Sequence, residues 1–138
     1  MWTIVITHHV PISSYTWKGL KPKSSYKIKV NAKNGDKIIA KAVLIYVTTA
    51  GGTLKNPKAV TVNKARVKLK KKETFRLNAS FKANGLVDSH RKICFSSSDP
   101  DIASVSKNGV IKARRKGKCS VYAYAQNGVY REVKVTVR

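Results

Sequence analysis

Apolar residues along this chain recur at every second position in short runs, and no window holds them at the 3.6-residue spacing of a helix face. Phe75, Leu77, Ala79 and Phe81 fall on one parity and Arg76, Asn78 and Ser80 on the other, the alternation of a strand with one face buried. Val133, Val135 and Val137 alternate in the same way with Lys134, Thr136 and Arg138, and Cys119, Val121, Ala123 and Ala125 share a parity just before them. The pattern predicts strands over residues 59–63, 66–70, 74–81, 92–96, 102–106, 110–113, 119–125 and 130–137. So many short strands in about eighty residues is sandwich spacing, and the chain reads as all-β.

Turn chemistry separates these runs. Asn-Gly steps stand at Asn34-Gly35, Asn84-Gly85, Asn108-Gly109 and Asn127-Gly128, where a tight hairpin needs residues that tolerate positive φ. Three of them read as hairpin turns, whereas Asn84-Gly85 lies in a polar stretch from Lys82 to His90 that reads as a longer loop. The small, polar and Gly/Pro-containing run from Thr48 to Pro57 has the composition of a connector. The expected organisation is therefore a unit over residues 1–50, a linker over 51–57 and a second unit over 58–138.

The second unit resembles a known family, the bacterial immunoglobulin-like domain of group 2. The resemblance rests on Val60-Thr61-Val62, on Phe75 to Ala79, on Phe95-Ser96-Ser97-Ser98-Asp99-Pro100-Asp101-Ile102-Ala103-Ser104-Val105, on Asn108 to Ala113, on Gly117 to Val121 and on Val133 to Val137. Phe95 stands where the family usually has Trp or Tyr. The first unit looks like the later portion of a fibronectin type III domain, from Leu20-Lys21-Pro22 through Tyr26 to Val47-Thr48-Thr49. That likeness makes Tyr26 a corner tyrosine whose hydroxyl ties its strand to a backbone group upstream. Together the resemblances imply an immunoglobulin-like β-sandwich preceded by a partial fibronectin type III-like sheet, in an extracellular or cell-surface bacterial protein. The early strands of the fibronectin pattern are missing, so Ile4, Ile6, Leu20, Ile28, Val30, Val43 and Ile45 are expected to lack apolar surface to pack against. Such a sheet is marginal alone and invites self-association.

Charge changes the picture most. There are 29 Lys plus Arg against 6 Asp plus Glu, a formal net charge of +23, so anionic partners are expected. Paired-carboxylate catalysis has little material, because the acids Asp36, Glu73, Asp88, Asp99, Asp101 and Glu132 are scattered. Asp99 and Asp101 are the close pair, and their Ser-Ser-Asp-Pro-Asp setting reads as a turn ahead of a calcium site. No run approaches the roughly 18 apolar residues of a membrane helix, and the N-terminal segment lacks a basic stretch followed by a long apolar core. The given chain is thus read as carrying neither export signal nor anchor.

Candidate chemistry is sparse. Cys119 has the inward parity of Val121, whereas Cys94, between Ile93 and Phe95, points the other way, so free thiols are expected over a bridge. His8, His9 and His90 lack neighbouring ligands at a metal-binding spacing, and no nucleophile triad, phosphate loop or nucleotide fingerprint is present. No catalytic, cofactor or metal residue is assigned. Basic density is the remaining signal, in Lys68, Lys70, Lys71 and Lys72, in Arg114, Arg115, Lys116 and Lys118, and in Lys21, Lys23, Lys27 and Lys29. On a continuous strand Lys68, Lys70 and Lys72 share a face. These clusters either bind anionic polysaccharide or wall polymers, or simply keep a β module soluble and block edge pairing. Tyr122, Tyr124 and Tyr130 are expected as an outward patch for protein contact. The reading is a non-enzymatic adhesion or binding module, with a ligand-free spacer or an intracellular polyanion or nucleic-acid binder as alternatives. Nucleic acid is disfavoured because no recognised binding motif accompanies the lysines.

Overall fold

The computed structural model describes residues 2–6, 16–85, 92–125 and 127–138, and every regular element among them is a β-strand. His8, His9, His90 and most of the expected 82–90 loop lie outside the described residues. Contacts divide the chain into two compact units, with the main boundary between Asn56 and Pro57.

The first unit is a three-stranded sheet of order β1-β2-β3, from β1 (Trp2–Ile6), β2 (Ser25–Asn34) and β3 (Lys37–Thr48). β1 runs parallel to β2, and β2 and β3 form an antiparallel hairpin closed by the Asn34–Lys37 pair, with Gly35 at φ 56° in the turn. Two register shifts interrupt this hairpin beyond Val30. Tyr26 and Ile28 are buried on one face, across from half-buried Val47 and Ile45. The Tyr26 hydroxyl accepts a hydrogen bond from the Lys21 backbone N–H at 2.8 Å, the upstream tie expected of it. Thr49 reinforces the corner, its Oγ1 accepting from Ser24 N–H and donating to Lys21 O. Beside this corner Asn56 acts as a one-residue strand partner: its Oδ1 accepts from Thr48 N–H at 2.9 Å and its Nδ2 donates to Thr48 O at 2.8 Å. Ile28 corrects the expectation that it lacks cover, since it is buried, but cover over the neighbouring positions is short. Leu20, Val30 and Ile45 are only half-buried, and Ile38 and Ile39 remain 54% and 61% exposed. The side chains of Ile4, Ile6 and Val43 lie outside the described set.

The second unit is a sandwich built from β4 (Ala59–Val62), β5 (Arg66–Leu69), β6 (Thr74–Arg76), β7 (Ala79–Lys82), β8 (Cys94–Ser97), β9 (Ala103–Val105), β10 (Val110–Ala113), β11 (Gly117–Tyr124) and β12 (Tyr130–Val137). One sheet has the order β5-β12-β11-β8, and the facing layer consists of the β4-β7 pair and the β6-β10-β9 ladder. Its first segment is split between the layers: β4 pairs antiparallel with β7, and β5 pairs parallel with β12. Asn63 manages the crossing, its N–H donating to Asn78 O while its Oδ1 accepts from Asn78 N–H, both at 3.0 Å.

The expected continuous strand over 74–81 is corrected here. It breaks at Leu77 and Asn78 into β6 and β7, which belong to different ladders. Side-chain alternation nevertheless persists through the break, with Leu77 buried and Arg76, Asn78 and Ser80 exposed. Leu77 N–H instead bonds Gly109 O at 2.9 Å, so the change is one of hydrogen-bond partner and not of facing. Val60, Val67, Leu69, Leu77, Ala103, Ile111, Ala113, Val121, Ala123, Ala125, Val133, Val135 and Val137 form the buried interior between the layers. Register is therefore strongly specified, since a one-residue slip turns this whole set outward.

Two of the hairpins use Asn-Gly in three-residue loops. Ser106 N–H bonds Val110 O and Gly109 N–H bonds Ser106 O, both at 2.9 Å, and the 125–129 turn repeats the pattern with Gly128. Each glycine has positive φ, 79° and 91°, the left-handed position that follows a type I turn. Only Gly109 is also sterically pinned: a Cβ there would lie 2.4 Å from Leu77 O and 2.9 Å from Phe95 Cζ, whereas one at Gly128 meets nothing within 4 Å. Gly109→Ala should cost about 3 kcal/mol against about 1 kcal/mol for Gly128→Ala, read from urea midpoints. In the first unit, Tyr26→Phe should lower stability by about 1 kcal/mol and speed hydrogen exchange at the Lys21 amide.

Candidate polyanion-binding face

The inner parity of the four-stranded sheet is filled by Val67, Leu69, Val121, Ala123, Val133, Val135 and Val137, which obliges the intervening residues to face outward. Register then places them in cross-strand rows. Lys68 lies opposite Thr136, which lies opposite Lys118, and Arg66 lies opposite Lys134, which lies opposite Ser120. These positions border an open depression of ≈ 510 Å³, whose lining also includes Ser98. Lys68 and Lys118, fifty residues apart in the chain, are thus brought to one face.

The proposed stripe of Lys68, Lys70 and Lys72 does not form. β5 ends at Leu69, and Lys70 to Glu73 make a turn in which Lys72 adopts φ 73°. Glu73 holds that turn, since its N–H donates to Lys70 O and its carboxylate accepts from Lys70 N–H at 2.7 Å. Lys70, Lys71 and Lys72 are displaced from the strand face to the end of the sandwich. There the turn docks on β10, with Lys72 N–H bonding Ala113 O at 3.0 Å and Ala113 N–H bonding Glu73 O at 2.9 Å. Arg114, Arg115 and Lys116 follow Ala113 directly, and Arg138 N–H bonds Leu69 O at the same end. Two clusters separate in sequence therefore converge, and all eight of their cations are exposed.

Two acids at this end, Glu73 and Asp99, commit their carboxylates to turns. Asp99 Oδ1 accepts from Asp101 N–H at 3.0 Å and from Ile102 N–H at 3.3 Å, which is the turn role read from its Pro-containing context. Arg114 Nε donates to Ser104 Oγ at 3.0 Å, fixing one guanidinium against β9.

Tyr122, Tyr124 and Tyr130 occupy the other half of the same outer face. Tyr124 is registered with Tyr130, and the Tyr122 and Tyr130 rings meet edge to face at 5.8 Å and 77°. Tyr130 is 63% exposed. Glu132, opposite Tyr122, separates the tyrosines from the lysines and accepts a hydrogen bond from the Ser120 hydroxyl. Arg66 and Lys134 complete the basic half and were not singled out by sequence. Their outward parity was legible, but their adjacency depends on β5 pairing with a strand more than sixty residues away.

Both cysteines are free and lie on opposite faces of the sheet. Cys94 sits outward beside Tyr124, and burial raises its thiol pKa. Cys119 faces Ser97 and Ala103; burial raises its pKa and the Asp99 charge adds to this, while hydrogen bonds from Ser97 and Ala103 oppose it. Burial also raises the pKa of Tyr124, with a smaller contribution from the neighbouring Cys94.

Residues 57–137 match the family model described as bacterial Ig-like domain (group 2). The chain belongs to that family. Phe95, in the aromatic position of the Ig-like pattern, is partly buried against the core as that position requires. Among solved structures the chain is similar to domains 4 and 5 of the S-layer protein SbsC, with a TM-score of 0.52 and 15% identity over 73% of this chain and 61% of that one. It thus spans less than two thirds of the matched structure's length. Longer pieces of the same surface layer protein match similarly: domains 4–9 with a TM-score of 0.53 at 16% identity, over 74% of this chain and 17% of that one, and domains 1–6 with 0.53 at 16%, over 73% and 15%. Likeness at such identity is one of fold. No curated protein matches the chain.

The raised thiol values carry a definite sign. Folding favours the neutral thiols, so their contribution to stability is constant below the ordinary thiol pKa and falls as pH rises past about 8.5, where the unfolded chain ionises first. Urea midpoints across pH 6 to about 10 should show that decline, and a Cys94→Ser/Cys119→Ser variant should show a shallower one.

Proposed function

We propose that this chain is a non-catalytic module of a bacterial cell-surface or secreted protein, holding its basic surface against anionic glycans or wall polymers. Membership of the bacterial Ig-like family and the likeness of fold to domains of a surface layer protein support the setting. One observation carries the binding role: cations distant in sequence are gathered by the fold, Lys68 beside Lys118 across β12 on the sheet face, and Lys70 to Lys72 beside Arg114 to Lys116 in the turns at the end of the sandwich. A net charge of +23 adds long-range attraction for any polyanion, and that attraction weakens with salt.

A spacer without ligand is the second reading. Its support is that Arg66 and Lys68 lie on β5, an edge strand, where charge discourages pairing with another sheet. Edge protection accounts for those two residues but leaves the turn cations Lys71, Lys72, Arg115 and Lys116 with solubility as their whole role.

Retention on immobilised heparin and on an anionic wall polymer, eluted with rising salt, separates the readings. The chain should elute well after a neutral β-sandwich of equal size, and a K71Q/K72Q/R115Q/K116Q variant should elute earlier. Co-elution of the unaltered chain with the neutral control would leave the spacer standing.

A further inference from the structure

The outer face of the β5-β12-β11-β8 sheet changes character along its strands. Successive rows read Lys68–Thr136–Lys118, then Arg66–Lys134–Ser120, then Glu132–Tyr122–Ser96, then Tyr130–Tyr124–Cys94. Ser98 extends the second row, its N–H bonding Ser120 O and its Oγ accepting from Ser120 N–H, both at 2.9 Å. Rows on one face lie two residues apart, about 7 Å, so the four make a track of about 20 Å. One end holds the cations and the depression of ≈ 510 Å³ they border; the other holds the tyrosines.

We infer that this face is a single binding track for an anionic polysaccharide, which places its acid groups on Arg66, Lys68, Lys118 and Lys134 and a sugar ring on Tyr130. The inference rests on the polyanion-binding role proposed above and assigns it a site distinct from the turn cations at the end of the sandwich. Tyr130 is suited to the ring because it is 63% exposed and braced edge-on by Tyr122. An aromatic ring bearing a hydroxyl offers both an apolar face and a polar tip, matching the two kinds of surface on a sugar. Hydroxyls from Ser98, Ser120 and Thr136 lie among the cations, where a hydroxyl-rich chain finds polar partners between its charges.

Charge spacing separates the polymer classes. Glu132 places a carboxylate midway along the track, where it accepts from sugar hydroxyls and repels any acid group, so the track suits a polymer whose charges are spaced apart by neutral, hydroxyl-bearing stretches. A single-stranded nucleic acid carries a charge at every nucleotide and gains most from aromatic faces presented in series. Here the Tyr122 and Tyr130 rings are crossed at 77° and so do not present parallel faces in series.

The test measures dissociation constants of the whole chain for a chondroitin sulfate octasaccharide and for an oligothymidylate of matched charge. K118Q/K134Q should weaken octasaccharide binding about fivefold, and Tyr130→Ala at least about threefold. K71Q/R115Q, which removes the same charge from the end turns, should change it less than about twofold. All of these positions are exposed, and thermal melts should coincide with that of the unaltered chain. Equal losses from the two double variants, or no loss from Tyr130→Ala, would overturn the track while leaving general polyanion binding intact. Tighter binding of oligothymidylate would also overturn it, in favour of a nucleic-acid surface. Failure of the unaltered chain to bind either probe would remove the track and the proposed function together.

Discussion

Burial of small and branched aliphatic side chains between two β layers is the constraint from which the other features of the second unit follow. With Val121, Ala123, Val133, Val135 and Val137 committed inward, the pleat leaves no choice about Lys118, Lys134 and the tyrosines. A chain with so many cations and so few acids has little scope to neutralise them by pairing, and the sandwich lets them face water. Its surface chemistry is thus the complement of its core: the parity that excludes charge from the interior assembles charge into rows outside.

The two units meet this constraint unequally. In the sandwich each layer covers the other. The β1-β2-β3 sheet is tightly fastened at its corner and its exit, through Tyr26, Thr49 and Asn56, yet leaves Ile38, Ile39 and Leu44 largely exposed. Hydrogen bonds there define a shape that apolar burial only partly supports, and that is the condition in which a sheet gains most from a further covering surface.

What sequence made legible was local. Alternation at Phe75 to Phe81 and at Val133 to Val137 gave the facing of every residue correctly, and the resemblance to a fibronectin type III corner anticipated the bond of Tyr26 to an upstream backbone group. The break at Leu77–Asn78 was invisible because parity continues through it; the cause lies in Asn63 and Gly109, far away in the chain. Lysine at 68, 70 and 72 looked like a strand face because three alternate cations fit one, whereas the turn closed by Glu73 shows only when the carboxylate is placed. The rows that join Arg66 to Lys134 and Lys68 to Lys118 are non-local pairings, which periodicity does not encode.

The parallel pairing of β5 with β12 bears on mechanics. Tension entering the module ahead of β5 and leaving beyond β12 drags the two strands past each other along their shared axis. Bonds across the Arg66–Lys134 to Leu69–Val137 ladder are then strained together and not unzipped one at a time. Once β4 has parted from β7, that shared loading would make the β5-β12 ladder the stage of stretching hardest to pass.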